Sequence, residues 1–362
     1  MKKIVAAATF FAVVSWGLPH SAQAYPTDTV SQERTKIRRL RWQQDINEGS
    51  YRGRKIPPGA QWSTDRVKLR MLDQGQDFDL TLETPKDPQL QAGLEAIMQK
   101  WRFKRYNIAL LDITDPSRPR YAAINEQEKQ TPGSVAKVLL GAGFLQQLKE
   151  RFPNDVSKRE ALMRDVTVKA DDWAMPNHHE VPVIIGDVYS GKYRTSIRRV
   201  LNGDTFSLWE WMDHALSPSS NASATMLWRE TTLMKLLGEA YPPENYDADL
   251  WKRWDRTTTT EAAYDVVEKP LRDAGLNVDD FYVRMFFTRN ASRYVKAEAS
   301  RASPFGILRW MIKVEQGKMV DRFSSLELKR MIYLTRRRIR YAHTKALTTV
   351  PSTLRPAAFI AA

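Results

Sequence analysis

Between residues 77 and 125, apolar residues recur with the spacing of strands in some segments and with the spacing of a helix in another. Residues 106–113 and 121–125 are apolar segments around a Pro- and Asp-containing turn, which predicts an antiparallel hairpin. Residues 77–82 alternate apolar and polar and predict a further strand. A helix is predicted to begin after Asp87. Its apolar face contains Leu90, Leu94, Ile97, Met98 and Trp101.

Helical spacing of apolar residues dominates the chain after residue 152. The predicted helices cover residues 205–216, 222–237, 260–274, 304–315 and 326–334. Residues 25–66 are instead polar, basic and rich in turn formers, so we expect an extension or linker outside the core. The pattern therefore predicts an α+β protein.

The first 24 residues are typical of an export signal. Lys2-Lys3 precedes an apolar stretch over residues 4–18, and Ala22-Gln23-Ala24 fits a cleavage site. The chain is therefore expected to begin at Tyr25 in a bacterial periplasm or outside the cell. No later stretch reaches the roughly 18 apolar residues that span a bilayer.

The chain is basic and contains no cysteine. Lys and Arg number 56 against 42 Asp and Glu, a net charge of +14 among 362 residues. In an exported protein this charge predicts attraction to anionic cell-envelope polymers and not to nucleic acid. The missing cysteines exclude thiol catalysis, disulfides and zinc–thiolate sites. No cofactor or metal is expected, because His178-His179-Glu180 lacks a third ligand and strand neighbours point to opposite faces.

The first candidate chemistry is Ser134-x-x-Lys137, which follows Pro132-Gly133 and opens an apolar run. Residues three apart on a helix lie on one face, so the hydroxyl lies beside the amine. Apolar surroundings favour a neutral lysine, which would make Ser134 an activated nucleophile. The alternative interpretation is that Ser134 caps the helix and Lys137 points to water.

The second candidate is Ser219-Ser220-Asn221, between two predicted helices. Ser and Asn are common helix caps, so capping is one interpretation. The other is chemical: the Ser219 hydroxyl would carry a proton to a leaving group, and the Asn221 amide would bind a substrate carbonyl or hold Lys137 in place.

Together the two motifs and their flanking segments resemble the serine β-lactamase and penicillin-binding protein superfamily over roughly residues 90–342. The resemblance implies an antiparallel sheet flanked by helices, with an inserted all-helical subdomain. It also implies acyl-enzyme chemistry on a peptidoglycan peptide or a β-lactam. Ser134 would attack the carbonyl, Lys137 would take its proton, Ser219 would relay a proton and Asn221 would bind the substrate amide. The backbone N–H of Ser134 would supply half of an oxyanion hole.

The chain departs from this superfamily in two places. No Lys-Thr-Gly motif follows the helices, and residues 343–362 form an atypical Thr-, Pro- and Ala-rich tail. We therefore expect a hydrolase domain over residues 67–342 with incomplete C-terminal strands, from a truncated or frame-shifted end. The deacylating Glu-x-x-x-Asn pattern is also missing after Ser219. An envelope binding or scaffold protein with little or no activity is the alternative function.

Overall fold

The computed structural model describes residues 29–55, 66–99, 106–246 and 249–334. Within them the protein is α+β, with helices and short antiparallel strands. The helices are α1 (Thr29–Thr35), α2 (Arg38–Glu48), α3 (Arg70–Asp73), α4 (Pro88–Gln99), α5 (Lys137–Arg151), α6 (Val156–Asp165), α7 (Leu208–Leu216), α8 (Asn221–Leu237), α9 (Arg256–Asp273), α10 (Pro304–Glu315) and α11 (Arg322–Tyr333). The strands are β1 (Ile108–Asp112), β2 (Arg120–Ile124), β3 (Thr167–Lys169), β4 (Glu180–Asp187), β5 (Lys192–Arg199), β6 (Thr205–Ser207), β7 (Phe281–Tyr282) and β8 (Arg301–Ala302).

The strands form four separate antiparallel pairs: β1 with β2, β3 with β6, β4 with β5, and β7 with β8. The β1–β2 hairpin confirms the sequence prediction, and its register runs from Ile108 opposite Ile124 to Asp112 opposite Arg120. One face of this hairpin packs on α10 through a small buried cluster. The hairpin therefore packs against both α4 and α10, and the chain continues from β2 to the turn that precedes α5.

The predicted strand over residues 77–82 is wrong. No strand pairs with this segment in the described part of the chain. Leu80 is fully buried, and the carbonyl of Phe78 accepts a hydrogen bond from the Gln316 side chain at 2.6 Å. A side chain therefore satisfies a backbone group that a ladder would otherwise pair.

The predicted helices are confirmed, with shifts of a few residues at their ends. Asp87 caps α4, since its carboxylate accepts a hydrogen bond from the Leu90 N–H at 2.8 Å. Ser207 and Glu210 form a reciprocal capping box at the start of α7, so residues 205–207 are strand β6 and not helix. The sequence interpretation missed the β4–β5 hairpin. With β3 and β6 it lies between α5 and α7, so the expectation that the inserted subdomain is all-helical is wrong.

The centre of the protein is α5, which packs against α7, α8, α9 and α11. Its Gly143 permits the closest approach, because a Cβ there would lie 2.3 Å from the Val266 carbonyl oxygen of α9. Most α5 side chains are buried, from Lys137 to Leu148. Lys137, the first residue of α5, is therefore surrounded by closely packed side chains.

The expectation that residues 25–66 lie outside the core is wrong for Ile37 and for α2, which follows it. Ile37 and Leu40 are fully buried in the largest apolar cluster. The basic residues between them are paired: Arg38 contacts Glu210 at 2.8 Å, and Arg39 forms two hydrogen bonds to Asp213 of α7. Composition misled the prediction, because acidic partners more than 170 residues away pair with both arginines, and Arg39 is buried with its partner.

No helix in the described ranges has the length and apolar composition needed to cross a membrane. The predicted export signal and the predicted tail over residues 343–362 lie outside the described residues. The expected C-terminal strands fall in the same undescribed part.

Candidate functional site

Ser134 lies in a 3₁₀ turn, Gly133–Ala136, that leads directly into α5. Gly133 has a φ of +52°, a left-handed conformation that glycine adopts without steric cost. Ser134 is exposed, whereas Lys137 is only 1% exposed. The turn therefore presents a hydroxyl to solvent with an amine buried beneath it.

Ser219 lies in the short connection between α7 and α8 and has a φ of +63°. This conformation is uncommon for a residue with a Cβ and is found preferentially at functional sites. Ser220 caps α8, since its hydroxyl accepts a hydrogen bond from the Ser223 N–H at 3.2 Å. Its own N–H donates to the His214 carbonyl at 2.9 Å. These bonds fix the residue that directly follows Ser219.

The Lys137 amine joins the two motifs. Its Nζ lies 3.3 Å from Ser134 Oγ and 3.1 Å from Ser219 Oγ. It also donates to the Ser219 carbonyl at 2.6 Å and to Asn221 Oδ1 at 2.8 Å. The structure thus brings together all four residues predicted for the site, although 82 residues separate Lys137 from Ser219.

The hydrogen-bond inventory of this cluster limits what Lys137 can do. The Ser219 carbonyl and the Asn221 amide oxygen only accept, so each requires an N–H of Lys137. A neutral amine has two N–H bonds and one lone pair. With both N–H bonds donated, the lone pair is left for a hydroxyl proton, and the nearby hydroxyls are those of Ser134 and Ser219. The protonated amine instead donates its third N–H to one of these hydroxyls.

Phe287 is a site residue that the sequence interpretation missed. Its half-buried ring lies with its centroid 4.9 Å from Lys137 Nζ. Both neighbours of Phe287 are anchored: Phe286 stacks on Trp228 at 3.9 Å, and the Thr288 hydroxyl donates to the Trp173 carbonyl at 2.5 Å. The ring is therefore held against the amine and excludes solvent there. No local motif marks it, because a phenylalanine in an apolar stretch is most often a core residue.

The structure also decides between the interpretations left open by the sequence. Ser134 does not cap α5, since the residue at that position is Ala136 and no side-chain cap bond is formed. Lys137 is buried and does not point to water. In the second motif both interpretations apply, because Ser220 caps a helix while Ser219 and Asn221 contact Lys137.

Metal-binding geometry is not found in the described residues, where no group of three His, Cys, Asp or Glu side chains is placed to hold an ion. The chemistry that this cluster offers is that of two hydroxyls, an amide and an amine. A hydroxyl next to a buried amine is the arrangement of an activated serine nucleophile.

The sequence matches no protein-family model and no curated protein. The likeness to the serine β-lactamase and penicillin-binding protein superfamily therefore rests on the motif residues and their order along the chain.

Proposed function

We propose that this protein is an exported serine hydrolase of the penicillin-recognising type, which forms an acyl-enzyme on Ser134. The observation that carries the proposal is the buried Lys137 amine, 3.3 Å from Ser134 Oγ and 3.1 Å from Ser219 Oγ. The amine also holds the two segments together through the Ser219 carbonyl and the Asn221 amide oxygen. Its contact with both serines is the arrangement required to move protons between two hydroxyls.

In the proposed reaction Ser134 Oγ attacks an amide carbonyl while its proton passes to the Lys137 lone pair. A C–O bond forms, and the carbonyl π-electrons move to oxygen, giving a tetrahedral oxyanion. The C–N bond then breaks as the Ser219 hydroxyl gives its proton to the leaving nitrogen and takes one from Lys137. The product is a Ser134 ester with Lys137 neutral again, and water hydrolyses this ester in the second half of the cycle.

Asn221 has two roles in this proposal. Its Oδ1 accepts from Lys137 at 2.8 Å, which leaves the two N–H bonds of its amide for a substrate carbonyl. The same side chain would thus align the substrate and orient the base. The Ser134 backbone N–H would supply one oxyanion donor.

The proposed fold is that of the β-lactamases and transpeptidases. Support comes from the order of elements: helix α4, the β1–β2 hairpin, the Ser134 turn at the start of buried α5, and the helices α7 and α8 on either side of Ser219. A substrate of this superfamily is a peptidoglycan peptide or a β-lactam, and the proposed location is the periplasm or the cell exterior.

Fluorescent penicillin tests the proposal. We expect covalent labelling of the wild-type chain and none of Ser134→Ala. Ser117→Ala is the matched control, because Ser117 is an exposed serine in the turn between β1 and β2; it should label like the wild type. Absence of label on folded wild-type protein contradicts the penicillin-recognising function. A fluorophosphonate probe then separates a serine hydrolase with another acyl donor, which labels, from an inactive scaffold, which does not.

A further inference from the structure

The Lys137 amine is closed to solvent, although the serine beside it is open. Lys137 is 1% exposed, whereas Ser134 is an exposed residue. The Phe287 ring covers one side of the amine, and its centroid lies 4.9 Å from Lys137 Nζ. A water molecule between ring and amine would need roughly 6 Å or more, because its hydrogen bond to nitrogen takes about 3 Å and its contact with the ring takes about as much again. The ring therefore fills a place beside the amine that a water molecule would otherwise take.

The segment that carries Phe287 is tied to the helix that carries Asn221. The Thr288 hydroxyl lies 3.0 Å from the Thr225 hydroxyl, which is one turn further along α8 than Asn221. Asn221 in turn accepts a hydrogen bond from Lys137 at 2.8 Å. The backbone next to the ring and one partner of the amine are therefore held by the same helix.

The second half of the proposed reaction needs a water molecule beside this same amine. After acylation Ser134 Oγ belongs to an ester, and Lys137 is neutral. In hydrolysis the water gives a proton to the Lys137 lone pair while its oxygen forms a bond to the ester carbonyl carbon. The C–O bond to Ser134 then breaks, and Ser134 Oγ takes the proton back from Lys137. The step requires a water molecule within about 2.6–3.2 Å of Nζ.

We propose that Phe287 keeps hydrolytic water away from Lys137 and thereby prolongs the life of the acyl-enzyme on Ser134. This inference rests on the proposed function. Acylation does not need the space that the ring fills, because Ser134 Oγ already lies 3.3 Å from the amine. Hydrolysis does need it. Phe287 is thus a positioning residue that acts through Lys137, and the protein holds its acyl group instead of releasing it rapidly.

Two rates measured on the full chain test this inference. Intact mass gives the rate at which penicillin acylates the protein and, after excess penicillin is removed, the rate at which the acyl group is lost. We expect Phe287→Ala to lose the acyl group at least roughly tenfold faster than the wild type, a part of the 100-fold or more that a positioned base contributes. Its acylation rate should stay close to that of the wild type. Phe287→Leu keeps an apolar side chain over the amine and should retain the slow loss.

Phe323→Ala is the matched control. Phe323 is another half-buried phenylalanine packed against the same apolar cluster, but it lies on α11. Both rates of this variant should equal those of the wild type. Circular dichroism and melting temperature establish which variants are folded. If Phe287→Ala does not fold, Phe287→Val carries the same test with a smaller increase.

The outcomes separate this inference from the proposed function. If the folded variant with a shortened side chain at Phe287 loses its acyl group no faster than the Phe323→Ala control, the inference is overturned and the proposed function stands. Slower acylation without faster loss indicates a merely structural role for Phe287 and also overturns the inference. A folded wild type that forms no acyl-enzyme contradicts the proposed function, and the inference falls with it.

Discussion

Replacing Arg39 by methionine tests whether the first helices belong to the folded domain. Arg39 is 3% exposed and its partner Asp213 is fully buried. Two hydrogen bonds join them, at 2.5 Å and 2.6 Å, and Arg39 also donates to the Leu334 carbonyl at 3.1 Å. The substitution leaves the Asp213 carboxylate buried without its main counter-ion.

The magnitude follows from this burial. Removing one partner of a buried ion pair costs about 3–5 kcal/mol in the free energy of unfolding. Removing both partners leaves no stranded charge, so Arg39→Met/Asp213→Leu should recover most of the loss. The double variant thus separates a stranded charge from a packing defect at the same position.

Urea denaturation followed by tryptophan fluorescence measures these free energies. Lys158→Gln is the control: it removes a lysine that is 67% exposed and paired with Asp155, and no measurable change is expected. A loss below about 1 kcal/mol for Arg39→Met would refute the conclusion that α2 is part of the core. A double variant as unstable as the single one would refute the stranded-charge explanation.

Two further predictions concern the packing and electrostatics of the domain. Gly143→Ala should lower the free energy of unfolding by about 1–3 kcal/mol, because the added Cβ meets the α9 backbone. The control Gly93→Ala, on exposed α4, should be neutral or raise it by up to about 1 kcal/mol. Thermal melts that rank the two variants in the opposite order would contradict the α5–α9 contact. Burial favours a higher pKa for Asp321, but hydrogen bonds from Arg159 and the backbone of Ser324 outweigh it and lower the pKa below 3.8. The ionised Asp321 carboxylate therefore stabilises the folded state at pH values above 3.8, and this stabilisation is lost as the pH falls through the lowered pKa. Asp321→Asn should cost about 1–2 kcal/mol near neutral pH and progressively less in acid, and a pH-independent difference in urea titrations would contradict the ion pair.

The sequence predicted the elements with strong local signals. Helix periodicity and the cap at Asp87 located α4 and the later helices, and the turn between two apolar runs located the β1–β2 hairpin. Local signals failed where contacts with residues far away in the sequence determine burial or strand pairing. Arg39 of α2 is buried because Asp213 of α7 pairs with it. Residues 77–82 alternate like a strand, but no described strand lies beside them.

In the candidate site, too, local spacing predicted some contacts, while others depend on residues far apart in the sequence. The spacing of Ser134 and Lys137 placed these two side chains together, since residues three apart lie on one face. The contact between Lys137 and Ser219 crosses 82 residues, so local spacing does not predict it. The sequence indicated that the two segments meet through the chemistry assigned to Ser219 and Asn221 and through the resemblance to a known superfamily. Phe287 carried no signal at all, because its position over the amine depends on the anchored residues on either side of it.

The acylation rate of Ser134 in the wild type and in Lys137→Gln tests the central claim most directly. Penicillin acylation is followed by intact mass, and peptide mapping locates the modified residue. We predict acylation on Ser134 and a fall of about 100-fold or more in the rate for the folded Lys137→Gln variant, as expected when a general base is lost. An unchanged rate in this variant, or an acyl group on a serine other than Ser134, would contradict the account.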